Sequence, residues 1–261
     1  MLIDRLIPAE LRVSIERQRQ DAVVACLEAR GFRILPPDFS GISESVGLQY
    51  TLERLAYGVP NTYSGSLGIA KWALAKPIAQ SIAPAKAYGP AFTLAEMGDF
   101  SDPSHKKISF ETTGGSISFD AEGCIGQSYL QVFGSEKAIG TYTQLPHELQ
   151  SDIDARLDSA DAVASALLRW SSCSESRGFS FRSPREAVSA VAEAYSGPDL
   201  SRAADMESQT LELLKGCESE SGLFAEIMSE LPSVEDDIVR LNAGLVDELQ
   251  RIADTAGRTG T

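Results

Sequence analysis

The sequence predicts a mainly α-helical protein with one small β-hairpin and two disulfide-stapled lobes. Three observations carry this expectation. The spacing Cys-x4-Gly-Phe-x4-Pro occurs twice, from Cys26 to Pro37 and from Cys173 to Pro184, each time after a helical stretch. Apolar residues elsewhere recur mostly at helical spacing, and a single segment, 108–119, alternates with period two. The repeated motif suggests an N-terminal helical lobe over 1–150 that carries the hairpin and an acidic helical lobe over 151–261, although both could share one core.

The elements follow in order. Pro8 and Glu10 open a helix to about Arg30, with Leu11, Ile15, Ala22, Val23 and Cys26 near helical spacing. Gly31 fits a left-handed cap, Phe32 can fold back on the last turn, and Pro36-Pro37 blocks continuation. A second helix is expected from Ser43 to Tyr57, ending at Gly58. Residues 58–66 are turn-rich, and 67–98 read as helical fragments broken at Pro77, Pro84 and Pro90. In the alternating segment Ile108 and Phe110 precede Gly114-Gly115, and Ile117 and Phe119 follow. A lone hairpin is marginal in water, so all four apolar residues should pack on helices.

Glu122-Gly123-Cys124 then leads into a helix to Phe133, stopped by Gly134. Asp161–Arg177 is amphipathic through Val163, Leu167, Trp170 and Cys173, and Gly178 ends it as Gly31 ends the first helix. Ser183 and Pro184 form an N-cap and first position, with Glu186 in the first turn. Asp199–Glu220 is a longer helix bearing Met206, Leu213, Leu214 and Cys217, and Gly222 interrupts it. Ser233 reads as the N-cap of a final helix, with Glu235, Asp236 and Asp237 in its first turn.

Composition narrows function by exclusion. The net charge is −14 and lopsided: residues 1–149 hold 16 acidic and 13 basic side chains, residues 150–261 hold 21 and 10. Such a field repels phosphate backbones and anionic lipids, so nucleic acid is a poor partner. The acidic half is a solvated helical surface or a docking face for a cationic peptide or a metal, and it is compatible with a monomer. No apolar run is long enough to span a membrane. Met1 leads directly into Leu2, Ile3 and Asp4, so either a leader has been removed or the protein is cytosolic.

Four cysteines in no CxxC unit, with His105 and His147 distant from them in sequence, argue against zinc and for disulfides, of which three pairings are open. HExxH, GxSxG and GxxxxGK[ST] are absent, and Ser64–Gly68 lacks the lysine of a phosphate loop. Asp99, Asp102 and His105 could orient one another, but no nucleophile is evident beside them. No catalytic residue and no cofactor are assigned. The best binding candidate is the loop Tyr57–Tyr63, with Tyr57, Asn61 and Tyr63 flanked by Trp72. Aromatic faces beside an amide suit a sugar or a peptide, and the competing reading is a packed loop anchored by its tyrosines.

One resemblance extends this reading. Leu167–Phe179 followed by Pro184 resembles the W-x-x-C-M-x-x-x-G-[YF] element of an uncharacterised family of secreted proteins and lipoproteins common in actinobacteria. Ala25–Phe32 is similar to its N-terminal E-C-M-x-x-x-G-F element. Gly114-Gly115, Gly123-Cys124 and Phe133–Ser135 are similar to its G-G…G-C…L-Y-G element, and Glu207-x9-Cys217 has its E-x9-C spacing. Leu27 and Ser174 stand where the family has methionine, and Leu214 where it often has aspartate, so no role of that aspartate carries over. The resemblance implies the pairs Cys26–Cys124 and Cys173–Cys217, an extracellular or cell-surface location and an N-terminal lipid anchor, but no activity. Bridges so placed would close loops of about 98 and about 44 residues, each contributing roughly 4 kcal/mol.

The expected function is therefore that of an exported cell-envelope binding or accessory protein without catalysis, with a cationic peptide or an envelope glycan as partner. An envelope hydrolase using Asp/Glu acid–base chemistry and a cytosolic helical interaction protein are the alternatives.

Overall fold

The computed structural model describes residues 2–33, 85–112 and 115–258. Among these, α1 (Leu2–Leu6), α2 (Ala9–Ala29) and α3 (Ala85–Met97) precede β1 (Lys107–Thr112) and β2 (Gly115–Asp120). Then follow α4 (Cys124–Phe133), α5 (Glu136–Ser159), α6 (Asp161–Ser176), α7 (Pro184–Ser196), α8 (Leu200–Ser221), α9 (Leu223–Leu241) and α10 (Ala243–Arg258). The protein is mainly α-helical, with one antiparallel hairpin among the described residues, whose register pairs Ile108 with Phe119 and Phe110 with Ile117. The helix expected over 43–57, the turn-rich stretch 58–66, Pro77 and Pro84 lie outside the described residues. At Pro90 the expected break is present: Gly89 (φ 71°) interrupts α3 one residue earlier.

The described chain divides into two units. Residues 2–33, 85–112, 115–151 and 239–258 form the first, and 152–238 the second. Residues 239–258 thus group with the N-terminal helices. The amphipathic face of α10 explains this, since Val246, Leu249, Ile252, Ala253 and Ala256 are all buried. Gly257 presents no Cβ to Leu11, and the Gln18 amide donates to the Gly257 carbonyl at 3.3 Å.

In the first unit α2 packs on α4 and α10, and α2, α3 and α4 meet around Val23, Leu27, Phe92 and Cys124. The hairpin docks through Ile108, which is fully buried, and through half-buried Phe110 and Phe119, onto Ile139, Tyr129 and Phe133. Ile117 departs from the expected packing. It pairs with Phe110 across the hairpin but is 37% exposed.

In the second unit α8 packs on α6 and α7, burying Trp170, Val191, Leu211 and Leu214. Asp199 caps α8 by accepting the Arg202 amide at 3.0 Å. The Ser233 cap is not formed. Pro232 and Ser233 lie inside α9, which runs on to Leu241, and the last helix starts at Ala243. A proline removes one helical hydrogen bond, but Leu223, Ile227, Glu235 and Ile238 are buried on both sides of it. That burial keeps the helix continuous.

Both disulfides are closed, as Cys26–Cys124 and Cys173–Cys217, one in each unit. Over its described part, Cys26–Phe32 and Cys173–Phe179, the repeated motif has one geometry in both places, while Pro36 and Pro37 lie outside the described residues. The Phe32 amide donates to the Leu27 carbonyl and the Gly31 amide to Glu28; Phe179 donates to Ser174 and Gly178 to Glu175. These are the paired six-to-one and five-to-two bonds of a Schellman cap. Gly31 (φ 87°) and Gly178 (φ 84°) supply the left-handed conformation that a side chain would strain. The repeat also matches at two positions between the cysteine and the glycine: Glu28 with Glu175, and Arg30 with Arg177.

Candidate functional site

A cleft of about 540 Å³ lies within the second unit. That volume falls in the range of about 300–1,000 Å³ usual for small-molecule sites. Its mouth is built by the start of α7. Ser183 is extended (φ −153°, ψ 160°) and its hydroxyl accepts the Glu186 amide at 3.2 Å, while Pro184 needs no amide partner at the first helical position. Glu186 folds back, its carboxylate accepting the Arg182 amide at 2.7 Å, and this fixes the backbone at Arg182.

The cleft wall is aliphatic, with Leu167 from α6, Pro184, and Leu223 and Ile227 from α9. Leu223 is held where α8 turns into α9. Its amide donates to the Ser221 hydroxyl at 3.2 Å, and the Phe224 amide donates to the Glu218 carboxylate at 2.9 Å. Arg169 on α6 donates twice to the Ser221 carbonyl, at 3.1 and 2.8 Å. With the Cys173–Cys217 bridge, these bonds fasten α6 to the end of α8 behind the wall.

Charge at the rim is mixed. Arg185 lies 3.0 Å from Asp154 and 4.0 Å from Asp158, and Arg182 lies 3.5 Å from Glu186. Burial pushes the Asp158 carboxyl above its ordinary range, with Arg185 opposing and Asp154 reinforcing. Glu186 is held below its ordinary range, chiefly by the amide of Arg182. Half-buried Glu218, behind the wall, is pushed up to about 7 by burial against the pull of the Phe224 amide.

A second polar cluster sits at the base of the hairpin. The fully buried Asp120 carboxylate has His105 Nδ1 at 2.8 Å and accepts from Lys107 Nζ at 3.1 Å and the Glu122 amide at 2.8 Å. Burial alone would raise its pKa; these donors outweigh that and bring it to about 2. The His105 pKa is raised, first by its bond to Asp120. Gly98 (φ 83°) admits this arrangement, because a Cβ there would lie 2.3 Å from Asp120 Cγ. Asp99 and Asp102 each accept from the hydroxyl and amide of a serine two residues on, Ser101 and Ser104. His105 Nε2 lies 3.6 Å from Asp102. Both serine hydroxyls are therefore committed to carboxylates, and the cluster ties the loop to the hairpin; among the described residues neither serine is presented to the histidine as a nucleophile.

The structure thus brings His105 and Asp102 together and adds Asp120, which sequence proximity alone does not reveal. Tyr57, Asn61, Tyr63 and Trp72 lie outside the described residues, as does Ser64–Gly68. The cleft residues were missed as a site. Ser183, Pro184 and Glu186 read as a helix start, and nothing in the sequence joins them to Leu167, Leu223 and Ile227. Among the described residues, no group of three or more His, Cys, Asp or Glu side chains is placed to hold a metal ion, and no helix is long and apolar enough to cross a membrane. No protein-family model, curated protein or solved structure matches the chain.

Proposed function

We propose that this is an exported binding protein of the cell envelope, stapled by disulfides, that holds a small ligand in the cleft of its second unit and performs no catalytic step. The observation that carries the reading is the closure of both cysteine pairs, one in each unit, with no cysteine left free. Disulfides of this kind persist in oxidising compartments and are rare in the cytosol. The likeness of the cysteine motifs to those of secreted actinobacterial proteins supports the same placement. The deciding experiment is alkylation and intact mass of the protein recovered from envelope, medium and cytosolic fractions of its own cells. The expected result is two bridges in protein from the envelope or medium. Four alkylated thiols in protein confined to the cytosol would remove the reading and favour a cytosolic interaction protein.

One observation favours the hydrolase alternative. Asp158 and Glu186 line the same cleft, and their carboxyls are displaced in opposite directions, as an acid and a base require. Zymography on cell-wall material with the wild type and Asp158→Asn tests it. Clearing that disappears in the variant supports hydrolysis, and no clearing by the wild type retains the binding reading.

A further inference from the structure

We infer that the cleft of the second unit recognises a short zwitterionic peptide with an aliphatic side chain. The inference rests on the binding reading and names its ligand. It follows from which charges at the rim already have close partners. Arg185 is engaged with Asp154 at 3.0 Å, so its more distant neighbour Asp158, at 4.0 Å, keeps acceptor capacity. Arg182 meets Glu186 only at 3.5 Å, longer than the roughly 2.7–2.9 Å of a close charge-assisted bond, and its side chain is 85% exposed. A guanidinium has five donors, so Arg182 retains several for a ligand carboxylate.

The under-committed groups are thus one carboxylate, at the end of α5, and one guanidinium, at the start of α7. They have opposite sign and line the same cleft. An anion alone leaves Asp158 with only Arg185 at 4.0 Å, and a cation alone leaves Arg182 with only Glu186 at 3.5 Å. A molecule with an ammonium at one end and a carboxylate at the other satisfies both. The positive end of the α7 dipole adds to the pull of Arg182 on a carboxylate.

The rest of the wall is mostly aliphatic, supplied by Leu167, Pro184, Leu223 and Ile227, of which half-buried Leu167 is the most open and Leu223 and Ile227 are almost wholly buried. This wall suits a branched or small alkyl side chain and, among the described residues, offers no aromatic face on which a sugar ring would stack. The bonds that fasten Leu223 and the α8–α9 turn mean the wall is formed before a ligand arrives.

Calorimetric titration of the oxidised full chain with alanyl-leucine, its N-acetyl form, its C-terminal amide and glycyl-glycine tests the inference. Alanyl-leucine is expected to bind, and each of the other three to bind at least about tenfold more weakly, a change of about 1.4 kcal/mol. In Arg182→Gln the penalty for amidation should vanish while the penalty for acetylation remains, and in Asp158→Asn the reverse. Both side chains are largely exposed, so both variants should melt like the wild type. Absence of alanyl-leucine binding overturns the inference, as do equal affinities for the free and blocked peptides. Tightest binding by the amide would mean a cationic ligand and also overturns it. Because the titration uses purified oxidised protein, its failure leaves the export reading standing. Free thiols in protein from cells would remove that reading without touching the titration.

Discussion

The two helix ends that carry Cys26 and Cys173 share a sequence and a cap but differ in what they are fastened to. Around Cys26 the cap arginine, Arg30, donates to two backbone carbonyls, those of Ala95 and Glu122. Its bridge runs to Cys124, the first residue of a helix, and Phe32 meets Phe92 edge-on at 5.3 Å within the core. Around Cys173 the matching arginine, Arg177, pairs with the Glu220 carboxylate at the surface. Its bridge runs to Cys217, in the penultimate turn of α8, and Phe179 stacks on Phe181, two residues along its own chain. The short repeat therefore encodes a way to stop a helix beside a cysteine. The partner is chosen by the surrounding fold.

The largest effect should come from the bridges. Replacing Cys26 and Cys124 by alanine removes a cross-link over 98 residues, and replacing Cys173 and Cys217 removes one over 44. The chain-entropy relation gives losses of about 4.7 and about 4 kcal/mol, measurable by denaturant titration. If the shorter bridge proves the costlier, native packing and not loop length sets the difference.

Next in size is a contrast between the units in buried carboxyls. Asp120 is held ionised, at about 2, so its contribution is present above its unfolded value near 3.8 and is lost as pH falls through about 2. Asp120→Asn should cost about 2 kcal/mol at neutral pH, by removing the anion from His105 and Lys107, and should blunt the acid-induced loss. Glu218 has the opposite sign. Its pKa is raised to about 7, so stability present below about 4.5 declines as pH climbs through 7. Glu218→Gln should abolish that decline, raising stability at pH 8 by less than about 1 kcal/mol once solvent screening of a half-exposed group is allowed for. Thermal melts between pH 2 and 8 separate the two, and a flat wild-type profile would contradict both assignments.

The caps should behave alike. Gly31→Ala and Gly178→Ala meet no steric neighbour within 4 Å, so each should cost only the left-handed backbone penalty of about 1 kcal/mol. Unequal costs would show that one end is strained by its surroundings. Smallest is the arginine comparison. Arg177→Ala should cost less than about 1 kcal/mol and less still in 0.5 M salt, as an exposed ion pair does. The cost of Arg30→Ala should be insensitive to salt, because its acceptors are uncharged.

Local signals in the sequence were legible where the chemistry is local. Gly31, Gly134, Gly178 and Gly222 all mark helix ends with positive φ, and Ser183-Pro184-x-Glu186 opens α7 as its residues suggest. The alternation at 108–119 gives the hairpin, with burial failing, among its four apolar residues, only at Ile117. What was illegible depends on distant partners. Ser233 looks like a cap until the burial of Ile227 and Ile238 carries α9 through Pro232. Asp120 ends a strand in sequence, and only folding sets it beside His105 and Lys107. The cleft joins residues 158, 167, 182–189 and 223–227, whose common address is written in no motif.

The return of residues 239–258 to the first unit has a temporal consequence. A ribosome releases 152–238 before it has made α10, whose buried face includes Val246, Leu249 and Ile252. The unit that begins first in the chain is therefore the one completed last. Until α10 emerges, the face of α2 against which it packs stands open to water.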